Sequence, residues 1–529
     1  MKKAKLFFSL MLCVLLLVST AAPAFAVPKS GRDVPNIHVR GMAGDLVNAQ
    51  GEVISDRAFP EGGLAGMVKD CMPSFLNALK KNDQASWDAY RAKLFPAVKS
   101  CFGDMWLDNN GEASDGSDQL VSWRKEPMTD NRGANGYGFD SYRFLYDWRL
   151  DPFAIADELN EYVQQIKAVT GSDKVNINAR CEGTNVLLAY FAKYGYADVN
   201  CAEFYTSASK GSELADALFS GHIHIDGDAL VRYKDANLTI DDELTNELVN
   251  ALIEFSGDTL LLDVAAFSMD LLFMKLYDEV IAPLVLETYG TFPSFWAMVS
   301  EEDYPAARRN IFKGKEDAYA GLIEKIEHYD KDVRQHMDEL MKGAKEAGVK
   351  VAVFAKYGDY LIPPVTENAN ELSDDTLLLS KASFGATTAK YGSVLPQAVL
   401  DRAAANGTEK YISPDRMVDA STCLFPDTTW FFWGCPHEDF PDYIFDAMAK
   451  FYYADGDMTV FSDPTFPQYL IAHPDPDDGE RGTLEPMNAE NAPNLVTEKR
   501  NLRTVDWKDM ILRLLKAVWA FLSNWLKNR

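Results

Sequence analysis

Histidine is scarce in this chain, with seven in 529 residues. Imidazole chemistry must use one of those seven positions, so each can be weighed by its surroundings. Basic charge is short as well. The 52 lysines and arginines face 79 aspartates and glutamates, a net charge of −27, which argues against a nucleic-acid partner. After the first 26 residues no apolar run is long and uncharged enough to span a bilayer. Residues 259–274 come nearest but carry Asp263 and Asp270. Metal-binding patterns are also wanting: Asp108-Asn109-Asn110-Gly111 is a turn without the spaced ligands of a calcium loop, and His222-x-His224 stands alone.

The chain opens on a leader. Lys2, Lys3 and Lys5 precede the apolar run Leu6 to Val18, and Ala24-Phe25-Ala26 supplies a small-x-small cleavage site. Residues 1–26 therefore read as a signal peptide and the mature protein as secreted and extracellular. Six cysteines follow the leader: Cys71, Cys101, Cys181, Cys201, Cys423 and Cys435. An oxidising compartment permits disulfides, and the expected pairs are Cys71–Cys101 across a helical hairpin at 64–101 and Cys423–Cys435 across a short aromatic strand. The plainer alternative is six reduced, mostly buried thiols.

The central stretch is Lys174 to Gly195. Val175, Ile177 and Ala179 alternate as in a strand, whereas Val186, Leu187, Tyr190 and Phe191 recur at helical spacing before Gly195. Between them, Ala179-Arg180-Cys181-Glu182-Gly183 has the small-x-nucleophile-x-Gly form of the sharp turn that exposes a nucleophile in α/β-hydrolases. Two features depart from that form: Cys181 stands where serine is usual, and Ala179 replaces the first glycine. Strand and helix signals alternate around this turn, from Val34–Arg40 through 139–149, 153–169 and 198–209 to Val349–Tyr357 and Thr428–Trp433. That alternation predicts an α/β fold, an α/β-hydrolase with a mostly parallel sheet flanked by helices over residues 34–455. Residues 211–345 interrupt it as a large helical cap insertion.

A thiol nucleophile needs a base, and the base an orienting acid. His38 lies within a strand, His222 and His224 open the insertion, His328 and His336 sit on a charged helix, and His473 opens an acidic, proline-rich stretch. His437 alone follows a late strand and opens a loop, and is the expected base. Asp359, in strand-Gly358-Asp359-x-x-x-Pro363, is the expected acid. The order Cys181, Asp359, His437 is that of α/β-hydrolases. Arg40-Gly41-Met42, after the first strand, is where an oxyanion amide is expected, offered by Met42.

Three further stretches resemble the lecithin:cholesterol acyltransferase-like branch of that superfamily: Tyr146-Asp147-Trp148-Arg149, Phe292-Pro293-Ser294-Phe295-Trp296, and Pro426-Asp427-Thr428-Thr429-Trp430 leading to His437. The resemblance implies hydrolysis or transfer of acyl chains from lipid esters without a cofactor or metal. It places Cys181 as nucleophile, Asp359 as acid, His437 as base, and the amides of Met42 and Glu182 in the oxyanion hole. A Cys-His-Asp triad would work through a thioester acyl-enzyme. The alternative is an inactive lipid- or acyl-chain-binding member of the same fold.

Residues 473–504 read as a linker and 505–529 as an amphipathic helix, with Trp507, Ile511, Leu514, Leu515, Val518, Leu522 and Trp525 on one face. From Lys499 to Arg529 eight basic and two acidic residues give 8 − 2 = +6. The expectation is peripheral contact with an anionic membrane, against docking on the protein's own acidic body.

Overall fold

Six central strands are flanked by helices and an edge hairpin in one sheet of eight strands. The eight strands are β1 (Asn36–Val39), β2 (Tyr142–Phe144), β3 (Val175–Arg180), β4 (Val199–Tyr205), β5 (Lys350–Tyr357), β6 (Thr429–Trp433), β7 (Tyr469–Pro474) and β8 (Gly482–Pro486). The computed structural model describes residues 34–42, 44–55, 63–119, 128–131, 142–224, 229, 232, 275–362, 366–475 and 481–494. Across the sheet the order is β2-β1-β3-β4-β5-β6-β7-β8. All neighbours are parallel except β7 and β8. Burial on both faces matches a parallel sheet coated by helices. The fold is that of an α/β-hydrolase, with a helical insertion between β4 and β5.

Strand order reverses between β1 and β3, and in open α/β sheets ligands bind beyond the carboxyl ends of strands at such a switch point. Here those ends are Arg40-Gly41-Met42 and Arg180-Cys181. The flanking helices include α1 (Gly63–Lys81), α2 (Gln84–Ser100), α3 (Pro152–Thr170), α4 (Gly183–Tyr194), α5 (Glu213–Ser220), α6 (Ala320–Asp332), α7 (Met337–Glu346) and α8 (Asp442–Tyr453). α3 starts where sequence says it should: Asp151 caps the Phe153 amide at 3.1 Å, Pro152 occupies the first turn, and Gly171 ends the helix at φ +64°.

Asn176 and Asn178 look misplaced in a central strand, and the structure gives the reason. On the α8 face a polar ladder crosses β1, β3 and β4. Asn176 donates to Asn36 (2.7 Å) and accepts from Asn200 (2.7 Å), while Asn178 accepts from His38 Nδ1 (2.9 Å) and donates to Glu203 (2.9 Å). Burial pushes the Glu203 carboxyl up to about 8, so it carries its proton at neutral pH.

Several expectations need correction. The domain does not end at 455, and the supposed linker from 473 contains the end of β7 and all of β8, which extend the sheet. The described parts of 211–345 pack on the core, with Phe292, Tyr329, Val333, Met337 and Met341 in the cluster that holds β1 and β3. A second insertion, between β5 and β6, carries two short antiparallel ribbons, Asp359–Tyr360 with Leu372–Ser373 and Thr387–Thr388 with Val418–Asp419. All six described cysteines are free thiols, so neither expected disulfide is formed. Cys423 is buried beside the Ser383 and Thr429 hydroxyls, and Cys435 faces the Asp439 carbonyl at 3.6 Å. The expected leader 1–26, most of the expected cap's middle (233–274, including 259–274) and the expected helix 505–529 lie outside the described residues. No described helix is long and apolar enough to cross a membrane.

Candidate active site

The turn after β3 is built by close packing of backbone. A side chain at Gly183 would place Cβ 2.8 Å from the Val39 carbonyl oxygen and 2.9 Å from that of Arg40, so only glycine lets α4 pass β1. At Gly41 the added Cβ would meet Cys181 Cβ at 3.0 Å and the Glu182 nitrogen at 3.4 Å. Cys181 itself sits at φ +50°, a left-handed conformation that costs a non-glycine residue energy and turns its side chain out of the strand. Its amide donates to the Tyr205 carbonyl (3.0 Å), and its carbonyl accepts from the Thr184 hydroxyl (2.6 Å). Thr184 in turn meets Ser207 (2.9 Å) and Ser209 (2.8 Å).

Glu182 ties the turn to the loop after β1. Its side chain is wholly buried against the Tyr146 hydroxyl, 2.6 Å away, and that hydroxyl also reaches the Arg40 carbonyl. Burial raises the Glu182 pKa to about 8. One hydroxyl hydrogen can serve both contacts only if one runs the other way: protonated Glu182 donates to Tyr146, which donates to Arg40. Met42 lies in the following loop, partly exposed.

His437 follows β6 and is buried within hydrogen-bonding reach of Cys181. Its Nδ1 donates to Asp374 Oδ2 at 2.8 Å, and its amide donates to the Asp374 carbonyl at 2.8 Å. Burial opposes a charged ring, but the Asp374 carboxylate and Cys181 outweigh it and raise the His437 pKa well above the usual imidazole value. The carboxylate that meets the His437 ring is therefore that of Asp374, and not the expected Asp359. Asp359 lies across the ribbon, paired with Ser373, and the chain doubles back before presenting a carboxylate. Asp374 is fully buried, and its other oxygen accepts the amides of Leu377 (2.7 Å) and Thr376 (3.2 Å), which fixes its aim.

Lys356, wholly buried in β5, holds the histidine turn from below. Its ammonium donates to the carbonyls of Pro436 (2.9 Å), His437 (3.1 Å) and Asp439. It also lies 4.3 Å from the centre of the Phe440 ring, against which the Arg180 guanidinium stacks at 3.6 Å. The sequence signal for Lys356 was a lysine inside an otherwise apolar strand. Asp374 carried no such mark, since Ser373-Asp374-Asp375-Thr376 reads as any turn. Arg149 is fully buried, pairs with Asp147 (2.6 Å) and donates to the Met105 carbonyl (2.8 Å). Among the described residues no cluster of three or more His, Cys, Asp or Glu could hold a metal ion.

The strand order and the sharp turn after β3 are those of an α/β-hydrolase fold. No protein-family model matches the chain, and no curated protein does. Among solved structures it is similar to a chain of the crystal structure of a Tle4–Tli4 complex, at 13% identity over 35% of this chain and 48% of that one, with a TM-score of 0.18. The chain thus spans about half the length of that neighbour, at a score too low to bear on function.

Proposed function

We propose that the protein is a secreted thiol hydrolase or acyltransferase of lipid esters, with Cys181 as nucleophile, His437 as base and Asp374 as orienting acid. The observation that carries the reading is His437, buried between Cys181 and a fixed carboxylate, with its pKa raised. A serine nucleophile needs a neutral imidazole to take its proton. A cysteine works as an ion pair, with the proton already on the ring. The site suits the residue it has.

In this reading the sulfur attacks the ester carbonyl, and the oxyanion is received by the amides of Glu182 and Met42. His437 gives its proton to the departing alcohol, leaving a thioester. Water or an acceptor alcohol then loses a proton to His437 and attacks the thioester, expelling the thiolate and restoring the ion pair. No cofactor is needed. The lipid nature of the ester rests on the resemblance of 146–149, 292–296 and 426–430 to the acyltransferase-like branch. The +6 segment Lys499–Arg529 supports delivery to an anionic membrane surface, where each basic residue contributes on the order of 1 kcal/mol.

Mature protein, Cys181→Ala and Cys181→Ser are assayed on short- and long-chain p-nitrophenyl esters and on phospholipid. Turnover lost in Cys181→Ala, with an iodoacetamide label on Cys181, is the expected result. An inert wild type that gains activity as Cys181→Ser would identify a lipid-binding relative instead. Vesicle sedimentation with and without 499–529 tests the tail, and equal pelleting of both would remove it from the proposal.

A further inference from the structure

Arg180 is not needed by the chemistry above, yet it occupies the position next to the nucleophile. It is 8% exposed. Among the described residues its side chain has no ion pair and no hydrogen bond; its contact is the face of Phe440, three residues past His437. Its Nε is buried without a partner, and so is the hydroxyl of Tyr205, its register partner on β4. Two orphaned polar groups therefore stand side by side at the carboxyl edge of the sheet.

The neighbouring strand adds a second cation. Val39 is in register with Ala179, so Arg40 lies beside Arg180. Burial and then Arg40 lower the Arg180 pKa to about 10, only partly offset by Cys181, Tyr205 and the exposed Glu438. An unpaired buried cation such as Arg180 is costly. Such an arrangement is relieved when an anion arrives, because guanidinium groups bind carboxylate and phosphate in paired, charge-assisted hydrogen bonds.

We propose that Arg180, with Arg40 beside it, forms an anion subsite next to Cys181, and that the acyl donor carries a carboxylate or phosphate which docks there. This rests on the assignment of Cys181 as the reactive thiol, but its test does not require ester turnover.

The test compares iodoacetate with iodoacetamide, which differ in charge and hardly in shape. Cys181 is the one half-exposed thiol among the six described cysteines, so its alkylation can be followed by peptide mapping. The wild-type ratio of the two rates should fall roughly tenfold in Arg180→Gln, about the weight of one charge-assisted contact. It should be largely retained in Arg180→Lys, and the wild-type preference should weaken with added salt. Inorganic phosphate that protects wild-type Cys181 from iodoacetamide, but not Arg180→Gln, would show that a free anion suffices. Loss of iodoacetate preference without phosphate protection would show that the anion must be carried on the acyl group. An unchanged ratio in folded Arg180→Gln overturns the proposal, and so does equal slowing of both reagents, which would make Arg180 a prop for Phe440. If Arg180→Gln does not fold, Arg40→Gln and the salt dependence of the wild-type ratio decide the matter. A protein inert on every ester that still prefers iodoacetate would keep the anion subsite and defeat the hydrolase reading.

Discussion

The elbow at Cys181 and the turn at His437 face each other but are held by different forces. The elbow is set by backbone crowding among five residues: Gly183 against the Val39 and Arg40 carbonyls, and Gly41 against Cys181. The histidine turn is set by charge. Lys356 reaches three of its carbonyls from a strand some eighty residues earlier, and Asp374 reaches its imidazole across |i−j| = 63. Steric definition is insensitive to solvent conditions, whereas electrostatic definition is titratable.

Four measurements would break or sharpen that contrast. The largest effect concerns the one titrating support of the elbow, Glu182, whose pKa rises from 4.5 to about 8 on folding. A group raised in this way stabilises fully below its unfolded pKa and loses that contribution as pH climbs through its folded value. The stability it confers should therefore fall by about 4 kcal/mol between pH 5 and pH 8, at about 1.4 kcal/mol per pKa unit. Urea melts across that range, with Glu182→Gln giving a flatter slope, check it. Next, Lys356→Met leaves three buried carbonyls without a donor and should cost about 3 kcal/mol in the same melts.

Third, Asp374→Asn should lower kcat/KM at least about a hundredfold, near 2.7 kcal/mol, by losing the charge and tautomer control on His437. Asp359→Asn should stay within about twofold; a reversal of the two would return the acid to the strand end. The smallest expected change is Gly183→Ala, about 2 kcal/mol of overpacking. Its cost should be the same at high and low salt, whereas that of Lys356→Met should not be.

The same contrast explains what sequence reading could reach. Ala179 to Gly183 announced their turn because backbone crowding forces small residues at fixed offsets there, even though the crowding carbonyls come from the end of β1. The parallel sheet was legible for a similar reason, since Val349–Tyr357 and Thr428–Trp433 are apolar runs bounded by turns. His437 was found by elimination. Asp374 was missed because a ribbon delays the acid by fifteen positions relative to Asp359, and no local pattern records which carboxylate a distant ring will meet. β8 was missed because Gly482–Pro486, with alternating half-exposed residues and prolines around it, has the composition of a loop and becomes a strand only through pairing with β7. The asparagines of β3 were legible as anomalies and explicable only once Asn36, Asn200, His38 and Glu203 stood beside them.

That last hairpin bears on how the protein can be handled. With β8 in place, the row of amides and carbonyls along β7 is occupied, and the outward rim presents short, proline-ended backbone with Glu485 near His473. A recombinant fragment ended after α8, at the boundary suggested by composition, would lose both strands and expose the Trp430–Trp433 strand as a raw, aromatic margin. Exposed margins of that kind recruit copies of themselves. Such a fragment is expected to accumulate as insoluble material, and fragments intended for biochemistry should run at least through residue 494.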